Sequence, residues 1–267
     1  MTANSTFPAL ERALSEAGAP VTLFFRDDDG GWEDVRLRAL LELHERHGMP
    51  LDLALIPDAL SPQLVRDLER RAARSDALGL HQHGRTHLNH ESAGRKCEFG
   101  PSRKAVDQYT DIESGRNTLA GLFGERVDPI FTPPWNRCTQ VTVVSLSALE
   151  FRVLSRDRGA DELNLFGLME LPVDVDWCGR FVAAGGRLHK DAQPDVTELD
   201  RRLARAAARG GPVGVMLHHA VMDEASLDAL SALLALVARH PHARCARMAT
   251  LCPEIAGVVK TALGARA

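Results

Sequence analysis

The sequence predicts an α/β chain: one distorted (β/α) barrel of seven or eight mostly parallel strands, spanning residues 1–267 as a single domain. Three observations carry this expectation. Short apolar runs alternate with longer segments of helical periodicity along the chain. No linker, low-complexity stretch or internal repeat divides it. Its 267 residues, 45% of them hydrophobic, match the size and core of a barrel.

Each element has its own signal. Phe7 to Ala17 places Leu10, Leu14 and Ala17 at helical spacing. Val21 to Phe25 is a compact apolar run that reads as a buried parallel strand. Glu33 to His47 is a helix stopped by Gly48, and Leu51 to Ile56 is a second strand ended by Pro57. Ser61-Pro62 opens the next helix, with serine at the cap and proline just inside. Ala77 to Leu80 is a third strand. Arg103 to Phe123 reads as helix, Val127 to Phe131 as strand and Gln140 to Leu149 as helix. Weaker strand signals lie at Phe151 to Leu154, Leu168 to Val173 and Arg180 to Ala184. Val196 to Arg209 is helical, Pro212 to Leu217 is a strong strand, and Glu224 to His240 is a helix ended by Pro241. The tail has room for one more strand and helix.

Composition narrows the function classes. A formal charge of −4 without a basic block argues against nucleic acid as a partner. No run approaches the length of a membrane span. The first residues lack the n-region and h-region of an export signal. Five cysteines, odd in number and without a Cys-x-x-Cys pair, suit reduced thiols. Together these give the expectation of a cytoplasmic protein acting on a small molecule or saccharide.

Polar clusters follow the strands, where a parallel barrel carries its chemistry. Eleven histidines are sparse over the chain, yet His81, His83, His87 and His90 share one window after the third strand. Imidazole is the commonest metal ligand, and His83 and His87, four apart, share a face if they lie on one helical turn. Asp27-Asp28-Asp29 follows the first strand. Three adjacent carboxylates repel one another unless a cation or solvent relieves them, and one can bind metal while a neighbour acts as base. Pro133-Pro134 restricts the backbone before Trp135, so its N–H can be fixed as an oxyanion donor. His218 and His219 end a continuous apolar strand, and alternation sends one to the mouth and the other into packing. Trp177, beside Asp174 and Asp176, is placed to wall the pocket and orient a histidine. Glu98, Phe99 and Arg103 carry no signal of their own.

These clusters also admit bland readings: a solvated turn for the acids, hydrogen-bonded rim residues for His81 and His90, an apolar plug for Trp135. Two other sites remain open at this level. An amidohydrolase-type site would use His81 and His83, and a phosphatase of the haloacid-dehalogenase type would use Asp27 and Asp29. The latter leaves the histidines unexplained and lacks a late Asp-Asp pair.

From about Val21 to His219 the chain resembles the polysaccharide deacetylase (NodB-homology, carbohydrate esterase family 4) superfamily, in an intracellular branch of unassigned substrate. Asp27-Asp28-Asp29-Gly30 is similar to the family's Thr-Phe-Asp-Asp-Gly, and His83-Gly84-Arg85-Thr86-His87 has the spacing of His-Ser/Thr-x-x-His. Thr132-Pro133-Pro134-Trp135 resembles Arg-x-Pro-Tyr/Trp, and Met216-Leu217-His218 resembles Leu-x-His. The chain departs from the pattern at Thr132, where the family has the arginine that orients the base. Arg26 and Arg137 are the candidates to replace it. Gly84 and Met216 are further departures.

The resemblance implies a metal-dependent hydrolase that removes an N-acyl group, N-acetyl first, from a sugar or related small soluble substrate. Asp29, His83 and His87 would hold a divalent ion, Zn2+ first and Co2+, Ni2+ or Mn2+ as alternatives. Asp28 would be the base, Trp135 N–H the oxyanion donor and His218 the acid, with His219 the other contender for that role. Pro134, Trp177, Arg26 and His219 would contact substrate. The missing family arginine also allows a metal-binding pseudoenzyme or ligand-binding protein on the same fold.

Overall fold

The computed structural model describes residues 5–178 and 195–253. One nine-stranded sheet dominates it. The strands are β1 (Val21–Gly30), β2 (Leu51–Leu55), β3 (Leu78–His83), β4 (Val127–Thr132), β5 (Val153–Leu154), β6 (Met169–Glu170), β7 (Val175–Asp176), β8 (Val213–Leu217) and β9 (Ala243–Cys245). Eight of them run in the order β6-β5-β4-β3-β2-β1-β8-β7, and β9 pairs separately with the start of β1. Every pairing is parallel. The sheet curls into a half-barrel, consistent with the distorted barrel expected from sequence.

Helices α1 (Pro8–Glu16), α2 (Asp34–His47), α3 (Pro62–Arg74), α4 (Ala105–Phe123), α5 (Gln140–Ala148), α6 (Val196–Arg209) and α7 (Glu224–Arg239) surround the sheet. Their limits follow from local chemistry. Ser61 caps α3 by accepting from Leu64 N–H, and Gly48 ends α2 in the left-handed region (φ 62°). Asp195 and Asp223 cap α6 and α7 in the same way as Ser61. The start of α1 is capped from a distance, because Asp200 of α6 accepts from the N–H groups of Ala9 and Leu10. Leu37, Leu40, Leu203, Leu230 and Leu233 press the apolar helix faces onto Leu23, Phe25, Leu53 and Val215 of the central strands.

Two differences from the sequence reading concern the later strands. Leu168 to Val173 contributes only the short β6, with Val173 in an isolated bridge, and β7 forms in the polar stretch that follows. The candidate strand Arg180 to Ala184 and the possible helix at the C-terminal end lie outside the described residues. No helix among the described residues is long and apolar enough to cross a membrane.

Candidate metal centre

All the site groups arise where strands end. Regular alternation would send Asp27, Asp28 and Asp29 to opposite faces of the sheet in turn. Strand β1 avoids this with a bulge. Its register against β2 runs Asp27↔Leu53 and then Gly30↔Leu55, one residue more on β1 than on its partner. Asp29 absorbs the kink in the left-handed region (φ 67°). The three neighbouring carboxylates therefore meet three different partners. Asp27 bonds to His219, Asp28 to Arg26, and Asp29 to His83 and His87.

His83 is the last residue of β3. Its Nδ1 lies 2.9 Å from the Thr132 carbonyl, which can only accept, so Nδ1 carries the proton. That leaves the Nε2 lone pair facing Asp29, 3.3 Å from Oδ1. His87 Nε2 lies 3.1 Å from the same oxygen. On one helical turn the two histidines would share a face, but the structure brings them together without a helix. The chain turns at Gly84 (φ 58°) and returns at His87 (φ 58°), so the pair converges across a loop.

That loop is built around a buried acid. Glu98 is fully buried and accepts from the N–H groups of Arg85, Thr86 and His87 and from the Thr86 hydroxyl. A Cβ at Gly84 would sit 2.2 Å from the Glu98 carboxylate and 2.6 Å from Pro134. Glycine at this position thus makes room for the acid and supplies the positive φ. The His87 ring is flanked by Trp32 at 4.7 Å and Trp135 at 4.3 Å between centroids.

Ligand atoms of Asp29, His83 and His87 all lie within 4.8 Å of one another. One carboxylate and two imidazoles, one of them with its tautomer fixed from behind, match the donor set of an open divalent site. The residues fit the ion. Without it, burial opposes charge on Asp29 and His83, but their mutual bond holds Asp29 well below the usual carboxylate range and His83 above that of histidine.

Beside this triad stands a second carboxylate, fixed by an arginine. Arg26 is fully buried. Its Nε and Nη2 donate to the two oxygens of Asp28 at 2.8 and 2.9 Å, a bidentate pair. The rest of the fork is also used, Nη1 on Ser155 Oγ at 2.7 Å and Nη2 on Asn136 Oδ1 at 2.7 Å. Burial alone would raise Asp28, but Arg26, helped by His83 and His218, keeps it below the ordinary carboxylate range. Thr132 instead bonds His81 Nε2 through its hydroxyl at 2.9 Å. Arg137 reaches the Lys96 carbonyl and makes no bond to Asp28. Of the two candidate arginines, then, Arg26 is the one paired with the acid.

The last strand brings two histidines to different ends. His219 Nδ1 is 2.6 Å from Asp27 and Nε2 is 2.7 Å from the Trp32 carbonyl. Burial disfavours its charge, yet Asp27 and Trp32 push it up to about 9. With both nitrogens committed, His219 ties β8 to the Trp32 turn and has no ring nitrogen to offer a substrate. His218 instead has Nδ1 buried without a hydrogen-bond partner, 4.0 Å from Asp176.

The remaining expected contacts divide. Pro134 is buried against Gly84, and Trp135 holds a left-handed conformation (φ 56°, ψ 17°) with its ring on His87. Trp177 does not wall a cleft. It is fully buried in the core, 6.2 Å from Phe7, because its side chain turns inward between Asp176 and Cys178. Arg26 is likewise sealed from substrate by its own partners. The alternative ion sites find no support: His81 bonds Thr132, Asp27 bonds His219, and neither belongs to a candidate ligand group among the described residues. Sequence reasoning passed over Glu98, Asn136 and Ser155, single polar residues whose partners are set only by the fold.

No family model matches the chain, and no curated protein matches it. Solved structures do. A Mycobacterium smegmatis protein designated a polysaccharide deacetylase superposes with a TM-score of 0.67 at 16% identity, covering 91% of this chain and 92% of its own. The chain has the polysaccharide-deacetylase fold. A family 4 carbohydrate esterase of Streptococcus mutans matches with a TM-score of 0.57 at 12% identity, over 92% and 91% of the two chains. A family 4 pseudoenzyme of Bacillus anthracis matches at 0.54 and 15%, over 89% of this chain and 66% of that one. In this chain the arginine paired with Asp28 is Arg26 on β1, and β4 ends in Thr132.

Proposed function

We propose that the protein is a metal-dependent hydrolase that removes an N-acyl group, N-acetyl first, from a sugar or related small soluble substrate. One observation carries this reading: a carboxylate–imidazole–imidazole triad lies beside a second carboxylate held ionised by a buried arginine. Asp29, His83 and His87 would hold the ion, Zn2+ first and Co2+, Ni2+ or Mn2+ as alternatives. Its chemistry when bound is Lewis acidity, lowering the pKa of water and polarising a carbonyl.

The chain's own groups do the rest. Asp28 accepts the proton of the attacking water, and Arg26 keeps that carboxylate charged and aimed. Trp135 N–H donates to the oxygen on which negative charge develops. His218 donates a proton to the departing amine. Residues 1–267 act as one domain in the cytoplasm, without nucleic-acid or membrane partners. Five cysteines, odd in number and with no disulfide among them, support a reducing compartment.

The likeness to a pseudoenzyme supports a second reading, ligand recognition without turnover. A screen of aryl acetates and acetylated amino sugars under several divalent ions separates the two. Ion-dependent release of acetate supports the hydrolase. Tight ion binding with no turnover of any acylated substrate supports the pseudoenzyme.

A further inference from the structure

A second group of ligand atoms lies next to the first. Strand β7 pairs with β8 so that Asp176 stands opposite Met216, two residues before His218. The turn after β7 is pinned, because Trp177 donates its N–H to the Met216 carbonyl at 2.8 Å and buries its ring. Cys178 follows, its N–H on Asp176 Oδ1 at 3.1 Å and its thiol 3.7 Å from the His218 carbonyl. Ligand atoms of Asp176, Cys178 and His218 all fall within 4.8 Å of one another.

Geometry and chemistry both ask for an ion here. His218 is 9% exposed, and its buried Nδ1 has no hydrogen-bond partner. The 4.0 Å gap to Asp176 is too long for a hydrogen bond. It is close to the span of roughly 3.5 Å between two ligands of one tetrahedral zinc. Thiolate, imidazole and carboxylate together favour a thiophilic divalent ion over magnesium or calcium.

We propose that Asp176, Cys178 and His218 form a second, inhibitory site for a thiophilic divalent cation such as Zn2+ or Cd2+. The ion displaces the thiol proton of Cys178 and takes the Nδ1 position of His218. An imidazole holding a metal there cannot also carry the second proton that makes it an acid. Excess zinc then switches off proton donation to the leaving group while the first ion stays in place. The inhibitory consequence rests on the hydrolase reading; the binding site does not.

The test uses the full chain loaded with one equivalent of Zn2+, then exposed to excess Zn2+ or Cd2+. Wild type is expected to bind a second ion, counted by mass spectrometry after gel filtration, and to show the ultraviolet thiolate-to-cadmium band. Cys178→Ala should bind one ion, lose the band and keep its basal turnover. Excess zinc should slow the wild type on the order of a hundredfold, the contribution of a positioned proton donor, and spare Cys178→Ala. Cys178→Ser serves if alanine disturbs the turn. A single ion in wild type, or an unchanged band or zinc inhibition in both Cys178 variants, overturns the proposal. If no substrate is ever turned over, the count and the band still decide the site. A His83→Ala/His87→Ala variant should retain the cysteine-dependent band.

Discussion

Two arginine–carboxylate clusters line the same sheet, with Arg26 of one in register with Asp52 of the other across β1 and β2, yet they behave differently. Arg26 is fully buried and gives the Nε–Nη2 edge of its guanidinium to both oxygens of Asp28. Near the starts of β2 and β4, Arg247 is shared by Asp128, which it contacts closely, and Asp52, 3.9 Å away. Asp28 is held below the ordinary carboxylate range, whereas burial pushes Asp52 up to about 7 despite Arg247, with Asp128 adding to the rise. The lesson is stoichiometric. One guanidinium in bidentate contact can keep one buried acid charged, but one split between two acids cannot. The first arrangement keeps a carboxylate charged at neutral pH; the second is a structural clasp whose acids hold their protons more readily than usual.

The comparison breaks most readily at Asp28. Asp28→Asn should lower turnover by about two to four orders of magnitude, the range for a lost general base, while metal content stays at the wild-type level. Unchanged turnover would remove Asp28 from that role. Arg26→Lys keeps the charge but loses the planar fork. We expect a fall of roughly tenfold to a hundredfold in kcat, with the acid limb of the pH–rate profile displaced upward as Asp28 loses its partner. Stability should drop by about 3 kcal/mol in chemical denaturation, as when one partner of a buried pair is removed. An unmoved acid limb would mean that Arg26 acts only as packing.

Glu98→Gln sharpens the account of the loop. A glutamine has one acceptor oxygen where the carboxylate serves four donors. Apparent metal affinity should weaken roughly tenfold to a hundredfold, measured by competition with a chromogenic chelator.

The smallest effect on activity is expected at the Arg247 cluster. The raised Asp52 contributes stability that is full below its unfolded value of 3.8 and is lost as pH rises through about 7. Asp52→Asn should therefore gain on wild type by a few kcal/mol in denaturant melts between pH 4 and pH 8. Its kcat/KM should match wild type. A gain that shrinks as pH rises would contradict the assignment.

The central strands and long helices were legible because their apolar periodicity is strong. Val196 to Arg209 and Pro212 to Leu217 reappear as α6 and β8 almost residue for residue. Strand β7 was missed because its pairing is only two residues long and its sequence, Asp174-Val175-Asp176, reads as a polar loop. At the site, the residue types were visible but the geometry was not. The four-residue spacing of His83 and His87 would let a helical turn pair them, whereas Gly84, with a carboxylate in the place of its Cβ, makes a loop. Alternation along β1 could not show a bulge that sends three adjacent acids to three partners. Arg26 was one of two candidate arginines, and choosing between them requires knowing that Asn136 and Ser155, in the segments after β4 and β5, complete its fork. Trp177 was misplaced by the same blindness, since nothing local distinguishes a pocket wall from a core anchor.

The most direct test of the account is anomalous diffraction from crystals of the protein carrying one equivalent of Zn2+. The account predicts a single strong peak about 2.0–2.2 Å from an Asp29 oxygen and from Nε2 of both His83 and His87. A peak bound by His81, by Asp27, or by none of the three predicted ligands would contradict it.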